Sequence, residues 1–89
     1  MRRISEGRKF RRDLKRQKRR GKDESKLIAV VGALVYDGHL PSLLRPHRLT
    51  GDRSGLWECH IEPDWLLIYD VNDDEVLLVR TGTHSDLFE

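Results

Sequence analysis

Four residues able to move protons and offset phosphate charge stand apart along this 89-residue chain: His47, His60, Asp64 and His84. They occur in the stretches "PHRL", "CHIEPDW" and "RTGTHSDLF". Imidazole accepts, donates or carries charge near neutrality, because its unperturbed pKa is about 6.5. RNA scission without a metal needs a base for the 2′-hydroxyl proton, an acid for the departing 5′-oxygen, and cations to offset transition-state charge. Three histidines and a carboxylate meet those needs. The same atoms are also an acceptable ligand set for zinc or non-haem iron. They come from separated loops, however, and no compact helical pair such as HExxH is present, so neither a metal nor another cofactor is expected. His39, two residues after Asp37 in a turn, lacks comparable company.

Neighbouring residues each carry two readings. Asp64 follows His60 by four residues across Pro63 and is expected either near that imidazole or capping the turn. Trp65 is a sheet-core anchor or a surface on which a base stacks. Arg80 pairs with acids such as Glu58 or Glu62, or clamps a phosphate. Phe88 packs on the core or under a nucleotide.

The elements that must hold these residues follow from apolar spacing. The basic start offers one strand residue, Ile4. Ser5 is then a candidate helix cap before Phe10 and Leu14, which lie four apart on one helical face. Gly21 ends that helix, and Asp23 caps a second in which Leu27, Ile28, Val31, Leu34 and Val35 form one stripe, stopped by Gly38. Residues 38–55 are rich in Gly and Pro and read as an ordered loop pinned by Leu40, Leu43, Leu44 and Leu49. "LWECHIE" alternates, with Trp57, Cys59 and Ile61 on one face and Leu56, Glu58, His60 and Glu62 on the other. Pro63 ends that strand. "WLLIYDV" and "EVLLVR" are apolar runs of strand length around an "NDD" turn, and "TGTHSDLFE" reads as a closing loop. The predicted class is α+β: a single domain over 1–89, with two N-terminal helices on one face of a small, mainly antiparallel sheet of three to four strands. The other face is left for a site.

Charge is distributed unevenly. Residues 1–22 hold twelve Lys and Arg against Glu6 and Asp13, a net +10, whereas residues 23–89 hold five against thirteen acids, a net −8. A polycation on an acidic body attracts phosphate backbones, membranes or acidic partners. The longest apolar stretch, Leu27 to Tyr36, falls well short of the ~20 residues that cross a bilayer, so no membrane partner is expected. The single Cys59 forms no internal disulfide, and the basic start lacks an apolar signal run, which together point to the cytoplasm.

Residues 47–88 carry the pattern His-x-Leu-x-Gly, then His-x-x-Pro-Asp-Trp-x-Leu-Ile-Tyr, then Arg-Thr-Gly-Thr-His-x-x-Leu-Phe. This closely resembles the YafQ branch of the RelE superfamily, the toxins of type II toxin–antitoxin pairs. The first 46 residues agree in kind more than in letter, and "RRISEGRKF" departs from the family's first strand. The resemblance implies a RelE-like fold and a metal-independent endoribonuclease that cuts mRNA in the A site of the 70S ribosome. It places function on His47, His60, Asp64, His84 and Phe88, with Arg80 an addition. Asp64 and His84 would handle protons, His47 and His60 would orient the hydroxyl and stabilise the phosphate, and Trp65 and Phe88 would shape the nucleotide pocket. Arg8, Lys9, Arg11, Arg12, Lys15, Arg16, Arg19 and Arg20 would dock on ribosomal RNA through counterion release. An acidic segment of a cognate antitoxin, DinJ- or RelB-like or of another family, suits the same surface. The alternative is a basic ribosome- or RNA-binding module that occludes without cleaving.

Overall fold

The computed structural model describes residues 1–88. Helix α1 spans Phe10–Arg19 and α2 spans Glu24–Asp37. The Asp23 carboxylate accepts from the Ser25 N–H at 3.0 Å and opens α2, and Gly38, at φ +76°, closes it in the left-handed region that suits glycine. Five strands follow the order β1-β5-β4-β3-β2, with β1 at Arg3–Glu6, β2 at His47–Arg48, β3 at Trp57–Glu62, β4 at Trp65–Val71 and β5 at Glu75–Gly82. β1 runs parallel to β5, and the other pairs are antiparallel. α3, residues His84–Phe88, follows β5. No helix among the described residues is long and apolar enough to cross a membrane.

The alternation in "LWECHIE" sorts the sheet's two faces as expected. Cys59, with Trp57 and Ile61 beside it, joins Phe10, Leu14, Leu27, Leu34, Trp65, Leu67 and Val76 in the main core under α1 and α2. The opposite face is not left bare. Leu66, Ile68 and Leu87 form a second, smaller core with Leu49, Leu56 and Val79 against them. Burial pushes the Cys59 thiol up to about 12, so it is a packing group and no nucleophile.

Several sequence expectations need correction. The sheet is mixed and has five strands, not three to four. β1 forms although Ile4 stays 54% exposed, because backbone pairing with β5 holds it where apolar burial does not. Ser5 is no helix cap: it lies in β1 and donates its hydroxyl to the Glu75 carboxylate. In α2, Val30 is buried and Ile28 faces out. Leu43, expected to pin the long loop, is 87% exposed. The closing segment is helical because Thr83 and Asp86 form a reciprocal cap. The Asp86 N–H donates to Thr83 Oγ1 at 3.1 Å, and the Thr83 N–H donates to Asp86 Oδ2 at 3.0 Å.

The narrow Phe10/Leu14 stripe on α1 is completed by polar residues. Asp13 and Gln17 are buried at the same face, filling the i, i+3, i+4, i+7 pattern. Asp13 takes two hydrogen bonds from Arg80, at 2.5 and 3.2 Å, and one from the Thr81 N–H at 3.3 Å. Gln17 donates to Asp86 at 2.9 Å. α1 is thus tied to the end of β5 and to α3 through charge as much as through apolar contact.

Candidate active site

Strand register brings the predicted residues together. His47 on β2 stands directly opposite Glu58 on β3, and His60 stands opposite Leu66 on β4. Leu66 in turn pairs with Gly82 on β5. Two residues beyond that pair in each direction lie Asp64 and His84, so the antiparallel register itself sets the carboxylate beside the imidazole. The β3–β4 register shifts between His60 and Glu62, an irregularity of the kind that re-aims side chains at functional edges. The imidazole centroids lie 6.4 Å apart for His47–His60 and 5.9 Å for His60–His84. Three rings from three elements form one cluster.

Asp64 meets His84 and not His60. Its Oδ1 accepts from His84 Nδ1 at 2.6 Å and from the His84 backbone N–H at 2.9 Å. The His84 backbone N–H and then its ring hold the Asp64 carboxyl below the ordinary carboxylate range. With Nδ1–H committed to Asp64, the Nε2 of a neutral His84 carries a lone pair. His60 Nδ1 instead faces an Arg45 guanidinium N–H at 3.2 Å and the Pro63 carbonyl at 3.3 Å. His47 Nδ1 faces the Arg45 carbonyl at 3.0 Å, and its Nε2 lies 3.3 Å from Glu58 Oε1. Each His47 ring nitrogen therefore faces an oxygen acceptor.

The remaining expectations divide. Phe88 is half-exposed, with the Arg53 guanidinium 5.3 Å from its ring centroid. Trp65, assigned above to a nucleotide pocket, is fully buried in the helix-side core, where its indole N–H donates to Thr81 Oγ1 at 2.9 Å. It acts as a core anchor out of reach of a base. Arg80, assigned above to substrate, is committed to Asp13, with its side chain 15% exposed. Of the basic set on and before α1, Arg11 pairs with Glu6 at 2.7 Å, while Arg16 and Arg20 lie 3.7 and 2.6 Å from Asp86. Among the described residues, Arg8, Lys9, Arg12, Lys15 and Arg19 make no ion pair, and all five are exposed.

Sequence reasoning missed Arg45, Glu58 and Asp86 as parts of this site. Glu58 is 5% exposed and its Oε2 has no hydrogen-bond partner among the described residues, a costly arrangement for a carboxylate with no task. The period-two alternation that placed His60 on the open face placed Glu58 there too. Arg45 adopts φ +50°, an uncommon value for a non-glycine residue, and reached the site through a turn no pattern announces. Asp86 was legible as the fourth residue of Thr-x-x-Asp.

Asp86 holds His84 and Phe88 in place through α3. The Arg20 guanidinium, at 2.6 and 3.1 Å, is the chief cause that drives its carboxyl far below the usual range, with Thr83 N–H and Gln17 assisting. A carboxyl whose folded pKa is depressed adds stability that is fully present above the unfolded value, near 3.9. That stability is lost as pH falls from there toward the folded value. Urea unfolding at pH 7, 4 and 3 is therefore expected to show a steeper acid loss in the native chain than in Asp86→Asn. At pH 7 the variant is expected to be about 1–2 kcal/mol less stable. Parallel pH curves for the two proteins would contradict the assignment.

No three His, Cys, Asp or Glu among the described residues converge into a metal-holding group. His47 and His84 each have a ring nitrogen turned onto a carboxylate.

The family described as bacterial toxin of type II toxin–antitoxin system, YafQ, matches residues 2–89. The chain belongs to this family. It is 38% identical over 80 residues to the mRNA interferase toxin YafQ of Escherichia coli K12, covering 89% of this chain and 87% of that protein. The fold is similar to that of the E. coli DinJ–YafQ complex, with TM-score 0.90, 36% identity and full coverage of both chains. It is similar also to a metal-bound toxin from Helicobacter pylori, with TM-score 0.89, 38% identity, and coverage of 99% of this chain and all of that one.

Proposed function

We propose that this toxin is an endoribonuclease that cuts mRNA in the A site of the 70S ribosome through attack of a 2′-hydroxyl on the adjacent phosphorus. The observation that carries the reading is the Asp64–His84 pair, 2.6 Å apart, beside two further imidazoles. His84 Nε2 takes the 2′-hydroxyl proton as the new P–O2′ bond forms. The P–O5′ bond breaks, and the departing 5′-oxygen takes a proton from Nε2 of His60 in its imidazolium form, which ends neutral and keeps its Nδ1–H toward the Pro63 carbonyl. Asp64 stays ionised, fixes the His84 tautomer and stabilises its charge once protonated, as carboxylates do for catalytic histidines elsewhere. His47, held between Glu58 and the Arg45 carbonyl, presents positive charge to the phosphate.

The exposed cations Arg8, Lys9, Arg12, Lys15 and Arg19 suit phosphate-dense ribosomal RNA, which predicts strongly salt-dependent ribosome binding. Arg11, Arg16 and Arg20 are already paired in the free chain, so they contribute less. A cognate antitoxin is the second partner, as DinJ is in the E. coli complex. A groove of about 540 Å³ between β1, α1 and α2, with Ile28 and Tyr36 exposed at its rim, offers such a protein an apolar seat away from the imidazoles.

Mapping new 5′ ends on a defined message in a translating extract tests the reading. Cuts inside codons are expected with ribosomes present, none are expected on naked message, and a zinc-selective chelator should leave the pattern unchanged. Arrest of translation with no new ends would support occlusion without cleavage.

A further inference from the structure

Arg48 ends a row of side chains that crosses three strands on the helix side of the sheet. It stands directly opposite Trp57 on β3, and Trp57 stands opposite Tyr69 on β4. The Arg48 guanidinium lies 5.0 Å from the Trp57 ring centroid. The Trp57 and Tyr69 rings are nearly parallel, at 17° with centroids 6.5 Å apart, and Tyr69 is sunk in the main core at 2% exposure. A cation on an exposed edge is thereby anchored to core aromatics, which steadies the guanidinium plane without occupying its N–H groups.

Arginines with a structural task in this fold give their forks to carboxylates, Arg80 to Asp13 and Arg20 to Asp86. Arg48 is exposed and, among the described residues, makes neither an ion pair nor a hydrogen bond. Glu58, the acid next along β3 from Trp57, lies by His47 instead. A planar fork of donors with no acceptor of its own suits a phosphodiester. Position says which one. Consecutive strand residues project to opposite faces, so His47 and Arg48 straddle β2. β2 is the outermost strand on that side of the sheet. An RNA strand seated on the imidazoles can turn over this edge and bring a neighbouring phosphate to Arg48.

We propose that Arg48, held ready by its stack on Trp57, binds a backbone phosphate of the message close to the one that is cut. The proposal rests on the endonuclease reading and adds a site that positions the message without touching the reacting atoms. Contact with a phosphate carries no base information, so Arg48 sets register and affinity and leaves codon choice to other residues.

The test uses the full-length toxin on 70S ribosomes programmed with a short synthetic message. Arg48→Ala, an exposed substitution that leaves the fold alone, should raise KM about 10-fold at nearly native kcat, alike for every codon cut. The slope of log kcat/KM against log salt should fall by about one. Trp57→Leu, measured on the folded fraction, should raise KM about 3-fold while Arg48 is present. In the Arg48→Ala background it should change nothing further. A second set of messages carries one neutral 2′-deoxy methylphosphonate at each linkage flanking the cut in turn, against the 2′-deoxy phosphodiester. At one of these linkages the native toxin should slow about 10-fold and Arg48→Ala should not respond. Native KM and salt slope in Arg48→Ala would overturn the proposal. So would an equal response of both proteins at every linkage, which would move the Arg48 contact from the message to ribosomal RNA. Either result leaves cleavage itself standing, whereas absence of any cut by the native toxin would remove the endonuclease reading and this proposal with it.

Discussion

Replacing His84 by alanine is expected to slow message cleavage by roughly 10²–10⁴-fold, the scale of a lost proton carrier. The fold should survive. The His84 side chain is more than half exposed, and its ring contacts Asp64 and the neighbouring imidazole of His60, outside either core. Growth arrest on induction should therefore be relieved while the thermal transition barely moves. Asp64→Asn separates positioning from proton transfer. It leaves Nε2 in place but removes the charge that fixes the tautomer and stabilises the imidazolium, so the maximal rate should fall with little change in substrate binding. Cleavage by His84→Ala at the native rate would remove His84 from the chemistry.

The largest effect on stability is expected at a residue that touches no substrate. Asp13 is 2% exposed and receives Arg80 through two hydrogen bonds. Truncating it leaves a largely buried guanidinium and the Thr81 N–H short of their acceptor, and breaking such a pair typically costs about 3–5 kcal/mol. Asp13→Ala should lower the urea midpoint sharply. Replacing both partners, Asp13→Leu with Arg80→Met, should recover most of the loss, since a well-packed apolar pair avoids the desolvation penalty that the charges incur. Cleavage measured on the folded fraction should change little in the double variant, because Arg80 faces α1. A double variant that folds as well as the native chain yet fails to cut would return Arg80 to the substrate-binding set.

The sequence made legible those features that rest on local pattern. Alternation in "LWECHIE" assigned both faces of β3, the Asp23 and Gly38 signals bounded α2, and the apolar runs around "NDD" marked β4 and β5. What failed depended on register or on distant pairing. β2 lies inside the segment read as a loop, and its two residues, His47 and Arg48, are held by antiparallel pairing with Glu58 and Trp57, which leaves no apolar run in the sequence. Asp64 is four residues from His60 in sequence yet bonds to His84, twenty residues on, because the Leu66–Gly82 register aligns them. Trp65 and Phe88, both read as pocket aromatics, part company for a similar reason. Strand alternation turns Trp65 into the helix-side core, whereas the Thr83–Asp86 cap swings Phe88 out on α3. The basic segment was visible as charge, but its internal pairing was not: Arg16 and Arg20 meet a carboxylate some sixty-six to seventy positions away. Arg45 had no signature at all, since a left-handed arginine in a Pro-flanked turn follows from tertiary contacts alone.

The central claim, that the imidazoles and Asp64 run a metal-independent transfer from the 2′-hydroxyl, is tested most directly by the chemistry of the severed ends. Messages cut by the native toxin should carry a 2′,3′-cyclic phosphate on the upstream fragment and a 5′-hydroxyl on the downstream one. A 3′-hydroxyl facing a 5′-phosphate would mean that water attacked the phosphorus instead, and would contradict the mechanism.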